Sequence, residues 1–118
     1  MKVTIWHNPR CSKSREALKI LQEHNIEPEV FKYLDEKPSK EEIQNVLKLL
    51  GYENPKELMR TKEAIYKELN LKEVEDEQKL LEAMENNPRL IERPILIKED
   101  KKAIVARPTE IVAEFITA

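Results

Sequence analysis

The order of hydrophobic periods in the first 34 residues limits this chain's fold more than any other feature. Lys2 to Trp6 alternates, with Val3 and Ile5 apolar against Lys2 and Thr4, the pattern of a β-strand. Asn8-Pro9 breaks it. From Ser12 the period becomes helical: Ala17, Leu18, Ile20 and Leu21 make one apolar face, and Asn25 is a stop signal. Glu29 to Leu34 (EVFKYL), bounded by Pro28 and by Asp35 to Pro38, reads as a second strand. Strand, helix and strand at this spacing form a βαβ unit, so the two strands should be parallel.

The middle of the chain is helical. Ser39 with Glu42 forms a capping box, after which Ile43, Val46, Leu47 and Leu50 keep helical spacing as far as Gly51. Gly51 is the only glycine and stands where a helix end favours one. Asn54-Pro55 opens a short helix through Leu58 and Met59. Helical periods recur over Ala64 to Leu69 and Gln78 to Met84, and the acidic run Lys72 to Gln78 reads as a solvated helix start rather than a binding patch. Pro94 to Ile97 then reads as a strand, Glu99 to Lys102 as a turn and Ala103 to Val105 as the hairpin partner. Pro108 and Thr109 start a closing helix that carries Ile111, Val112, Phe115 and Ile116. No repeat, low-complexity tract or linker marks a second domain.

The expected class is therefore α/β: β-α-β, a helical insertion over about 39–90, then β-β-α, with a mixed four-stranded sheet in one domain spanning 1–118. That order matches a thioredoxin-like fold. Ligands of such folds bind where the first strand feeds the first helix, and Cys11 falls on that loop.

Composition narrows the function. The 21 basic and 23 acidic residues leave a formal charge of -2, which selects neither nucleic acid nor an anionic membrane. No segment resembles a secretion signal, and no apolar run approaches the ~20 residues of a bilayer span. One cysteine forms no internal disulfide, and no Cys/His cluster has metal-ligand spacing, so no metal is expected. A cytoplasmic monomer is the simplest expectation.

The stretch Trp6 to Glu16, WHNPRCSKSRE, surrounds that cysteine with His7, Arg10, Lys13 and Arg15. A lone cysteine can be a small buried hydrophobe, but Cys11 lies between a proline turn and a helix start, outside any apolar stripe. Helix N-terminal amides favour an anion. A thiol there, near cations, falls from about 8.5 to roughly 3.5–7.5. In the CxxS pattern Ser14 replaces a resolving cysteine, so an oxidised Cys11 needs an outside thiol. Ser14 either hydrogen-bonds the sulfur or the helix backbone, or is an ordinary first-turn serine. A phosphatase loop of the Cys-x5-Arg type would need arginine at position 17, where Ala17 stands.

Arginine is the scarcer cation, six residues among the 21 basic ones. Three lie at junctions after the first helix: Arg60 in LMRTKE, Arg93 in ERPIL and Arg107 in ARPTE. The last two precede prolines. In a thioredoxin-like fold the proline before the third strand lies opposite the active thiol and is usually cis, so Pro94 should place Arg93 near Cys11. A thiolate and an oxyanion repel by about 4 kcal/mol per charge pair at 4 Å and effective dielectric 20. Guanidinium forks suit the compensation better than lysine's point charge.

These residues together resemble the glutaredoxin-coupled arsenate reductase family, the ArsC group that also includes the Spx regulators. His7, Asn8, Pro9, Cys11, Ser14 and Arg15 match the HNPxCxxSR segment, and the likeness continues through ELMR with YKELNL, NPRLIERPI and ARPTEIV. The resemblance implies that Cys11 is the nucleophile, that Arg60, Arg93 and Arg107 hold the oxyanion and the thiolate, and that His7 helps keep the thiolate charged. It implies arsenate as substrate, glutathione as co-substrate, glutaredoxin as partner, no bound cofactor, and a role in arsenical resistance. The same fold hosts Spx-like regulators that bind RNA polymerase, although those carry a CxxC switch that Ser14 removes. A monothiol deglutathionylating enzyme is the other alternative.

Overall fold

Strand β1 (Val3–Trp6) is a central strand of the computed structural model, which describes residues 1–117. It pairs in parallel with β2 (Glu29–Phe31), Ile5 opposite Val30, and antiparallel with β3 (Ile95–Lys98), Ile5 opposite Leu96. Strand β4 (Lys102–Val105) pairs antiparallel with β3 and completes the order β2-β1-β3-β4. The mixed four-stranded sheet is the one the sequence led us to expect.

The chain divides into two compact units, residues 1–36 with the chain from Arg93 onward, and residues 37–92. In the first unit, helix α1 (Ser12–Glu23) crosses between the parallel strands and packs against α6 (Ile111–Thr117). The pleat sends Val3, Ile5 and Leu96 into one cluster with Ala17, Leu21, Ala106, Val112 and Ile116, all nearly free of solvent. Helix α1 ends where Asn25 takes a left-handed conformation, φ 60°. There the Ile26 amide donates to the Leu21 carbonyl at 2.9 Å and the Asn25 amide to that of Gln22, a Schellman ending.

Two boundaries differ from expectation. The second strand stops at Phe31 instead of Leu34, because the chain turns into a short helix α2 (Tyr33–Glu36). The Asp35 and Glu36 amides donate to the Lys32 carbonyl, and the buried Tyr33 ring stacks on Trp6 at 6.3 Å. A buried aromatic reached through a helical turn mimics strand alternation. The closing helix begins at Ile111, with Pro108 to Glu110 forming the turn before it.

In the second unit α3 (Lys40–Leu50) packs on α5 (Glu77–Asn86), through Ile43, Val46 and Leu47 on one side and Leu80, Leu81 and Met84 on the other. The Ser39–Glu42 capping box forms as read, and Asp76 caps α5. A 3-10 turn (Pro55–Leu58) and a short α4 (Ala64–Glu68) lie between them. Met59 and Ile91 form an isolated antiparallel bridge, braced by the Arg60 amide on the Leu90 carbonyl at 2.7 Å. No helix among the described residues is long and apolar enough to cross a membrane.

Gly51 ends α3 at φ 76°, with open space where a Cβ would stand. Gly51→Ala should therefore lower stability through backbone strain alone, by about 1–2 kcal/mol in a urea titration, and leave Cys11 reactivity unchanged.

Candidate active site

The pairing of β1 with β2 runs one residue past the strand, the His7 amide donating to the Phe31 carbonyl at 2.8 Å. The chain then turns sharply. Asn8 accepts twice, the Arg10 amide on Oδ1 at 3.0 Å and the Cys11 amide on its carbonyl at 3.0 Å. Arg15 Nη1 donates to the Pro9 carbonyl at 2.9 Å and clasps the loop from the helix side. Cys11 is the N-cap of α1: its backbone is extended, and its carbonyl accepts the first helical bond, from the Arg15 amide.

Cys11 is 9% exposed. Its sulfur makes no capping hydrogen bond of ordinary geometry, yet the free amides of the first turn act on it as dipoles. Burial pushes the thiol up; the Ser14 amide, the Arg93 charge, the Lys13 amide and a hydrogen bond from the Arg93 side chain bring it down, and the net is a thiol below its ordinary value.

Arg93 reaches the sulfur because β1 and β3 are antiparallel neighbours. Trp6 pairs with Ile95, so the residues after β1 and before β3 leave the sheet at one edge. The Arg93–Pro94 peptide is cis, as expected, and so is Arg107–Pro108. Pro94 is buried, and its carbonyl accepts the Ala106 amide at 2.9 Å. Arg93 Nε and Nη1 are buried with no hydrogen-bond partner among the described residues. An orphaned buried donor carries its full desolvation cost, about 1–3 kcal/mol or more when charged, so these two N–H groups mark where an acceptor belongs.

Ser14, left open by the sequence, is fully buried. Its Oγ accepts the Asn8 amide at 3.0 Å and lies 2.6 Å from His7 Nδ1. It ties the helix to the loop and to the imidazole. His7 is 6% exposed. Burial, then the charges of Lys32 and Arg15, hold its ring below the ordinary imidazole value. The ring is therefore neutral near pH 7, and its partner is Ser14.

Arg107 follows β4 on the surface, on a loop tied to α1 by Thr109 Oγ1 donating to Glu16 Oε2 at 3.1 Å. Arg60 belongs to the second unit, where its Nη1 donates to Glu63 Oε1 at 3.2 Å. The structure thus brings together Cys11, His7, Ser14, Arg15, Arg93 and Pro94. Sequence reasoning passed over Lys32, which the parallel β1–β2 pairing places beside His7, and Glu63, whose i,i+3 spacing from Arg60 was a legible signal. Among the described residues no group of three or more His, Cys, Asp or Glu side chains is placed to hold a metal ion.

The ArsC family model matches residues 6–115. The chain is 47% identical to the uncharacterized protein YfgD of Escherichia coli, over 98% of this chain and 97% of that one. It is 44% identical to a protein of Haemophilus influenzae named arsenate reductase, over 98% and 100% of the two chains. A solved structure described as arsenate reductase from Vibrio cholerae superposes with a TM-score of 0.92 at 45% identity, over 97% of each chain.

Alkylation of Cys11 by iodoacetamide, followed against pH, should show a midpoint below that of a free thiol. Arg93→Met removes a cation that favours the anion, so the midpoint should move up. A midpoint that stays in place contradicts this arrangement.

Proposed function

The chain belongs to the ArsC family, and from that premise we propose that it reduces arsenate to arsenite through the Cys11 thiolate, with glutathione and glutaredoxin as external reductants. One observation carries the reading. Beside a thiol held below its ordinary value, Arg93 offers Nε–H and Nη1–H groups that nothing among the described residues accepts. A tetrahedral oxyanion supplies acceptor oxygens in the fork geometry a guanidinium prefers.

The chemistry follows from those groups. The Cys11 sulfur attacks As(V), an S–As bond forms, and an oxygen leaves as hydroxide or, once protonated, as water. The guanidinium offsets the repulsion between two anions, which would otherwise oppose attack. Glutathione's sulfur then displaces a second oxygen from arsenic as water, giving a Cys11–S–As(V)–S–glutathione adduct. A glutaredoxin thiolate attacks the glutathione sulfur, and the S–As bond breaks with its electron pair left on arsenic, now As(III). A glutathione–glutaredoxin disulfide leaves, and water releases arsenite and restores the Cys11 thiol. With a single cysteine in the chain, the reducing thiols come from outside. The family resemblance implies an oxyanion-holding role for Arg60 and Arg107 as well. Ser14 and neutral His7 act on the sulfur by position: they hold the loop so that the Ser14 and Lys13 amides stay aimed at it. No bound cofactor or metal is called for.

The test is arsenate reduction with glutathione and glutaredoxin. Cys11→Ser should abolish turnover. Arg93→Lys keeps the charge but loses the fork, and kcat/KM should fall about ten- to hundredfold, as for one or two charge-assisted hydrogen bonds. Wild-type protein without turnover, or Arg93→Lys with unchanged kinetics, would reject the reading.

A further inference from the structure

The register Trp6 to Phe31, extended by the His7 amide on the Phe31 carbonyl, sets Lys32 level with His7 where both strands leave the sheet. Lys32 is exposed, at the same edge as the Cys11 loop. Its backbone amide donates to Glu36 Oε2 at 2.9 Å, while its ammonium forms no ion pair among the described residues. Its charge is felt at the buried His7 ring. Arg10 and Arg15 are likewise exposed, with no carboxylate partner among the described residues, Arg15 resting on the Pro9 carbonyl. Two of the nearby acids are engaged locally: Glu16 accepts from Thr109 and faces Lys13 at 3.8 Å, and Glu36 holds the Lys32 amide. The Cys11 loop is thus rimmed by cations in a chain of formal charge -2. Such a rim raises the local concentration of anions and leaves neutral molecules unaffected.

We propose that Lys32, with Arg10 and Arg15, forms a cationic rim that selects low-molecular-weight thiols bearing carboxylates as exchange partners of the Cys11 sulfur. The proposal rests on the reading that Cys11 exchanges with an external thiol. It adds which thiols are favoured and which residues choose them.

Charging Cys11 with Ellman's reagent gives a mixed disulfide with thionitrobenzoate. An incoming thiolate forms a new S–S bond to the Cys11 sulfur while thionitrobenzoate leaves as its yellow anion, with no net oxidation or reduction. Release is timed with mercaptosuccinate, 2-mercaptoethanol and cysteamine, each normalised to its rate on the free reagent. Mercaptosuccinate should be favoured over mercaptoethanol, and cysteamine disfavoured. Lys32→Glu should cut the preference for mercaptosuccinate by roughly threefold at low salt, a difference that added salt erodes. Lys32→Gln should fall between, with an unchanged circular dichroism spectrum, and Lys101→Glu, on the β3–β4 turn, should match the wild type. A preference unmoved by Lys32→Glu overturns the proposal. So does one absent for small thiols and present only for an acidic protein thiol. If arsenate is not turned over but the charge preference holds, the rim stands and the arsenate reading falls; turnover with no charge preference decides the reverse.

Discussion

A guanidinium that loses its water must recover hydrogen bonds elsewhere. Arg93 does so only in part, through the Cys11 sulfur, and its Nε and Nη1 are left with no acceptor among the described residues. Around this incomplete pair the rest of the first unit makes sense. The antiparallel pairing of β1 and β3 delivers thiol and guanidinium to one edge of the sheet. Helix α1 then begins at the cysteine, so its first amides add to the same field. Three kinds of donor act on the sulfur together, the helix amides, the Arg93 charge and an Arg93 hydrogen bond, and Arg93 supplies two of them.

The polar groups behind the loop have a different task. Ser14 is buried among Asn8, His7 and the start of α1, and joins all three with one hydroxyl. His7, kept neutral by burial and by the cations around it, supports the loop through that hydroxyl and not through charge. Positive charge is thereby left to Arg93 beside the sulfur and to the exposed Arg10, Arg15 and Lys32.

Much of this was legible in the sequence, because local rules governed it. The capping box at Ser39, the turn at Asn8-Pro9, the glycine end at Gly51 and the strand–helix–strand order are short-range signals, and each is found where it was read. The long second strand was misread because Tyr33 is buried by stacking on Trp6, a partner 27 positions away, which imitates the alternation of a strand. Cys11 and Arg93 could be named from motif and fold. The orphaned state of Arg93 could not, since it depends on which neighbours fail to reach it. The same holds for Ser14, whose bland and functional readings differ only in burial, and for Lys32, whose place beside His7 follows from strand register.

The most direct test watches the Arg93 Nε–H proton itself. Its NMR resonance, assigned through Arg93→Lys, is followed as arsenate is added to the reduced protein. Capture of an oxyanion by an unpartnered donor predicts a saturable downfield shift. A resonance that holds its position through the titration would contradict the account.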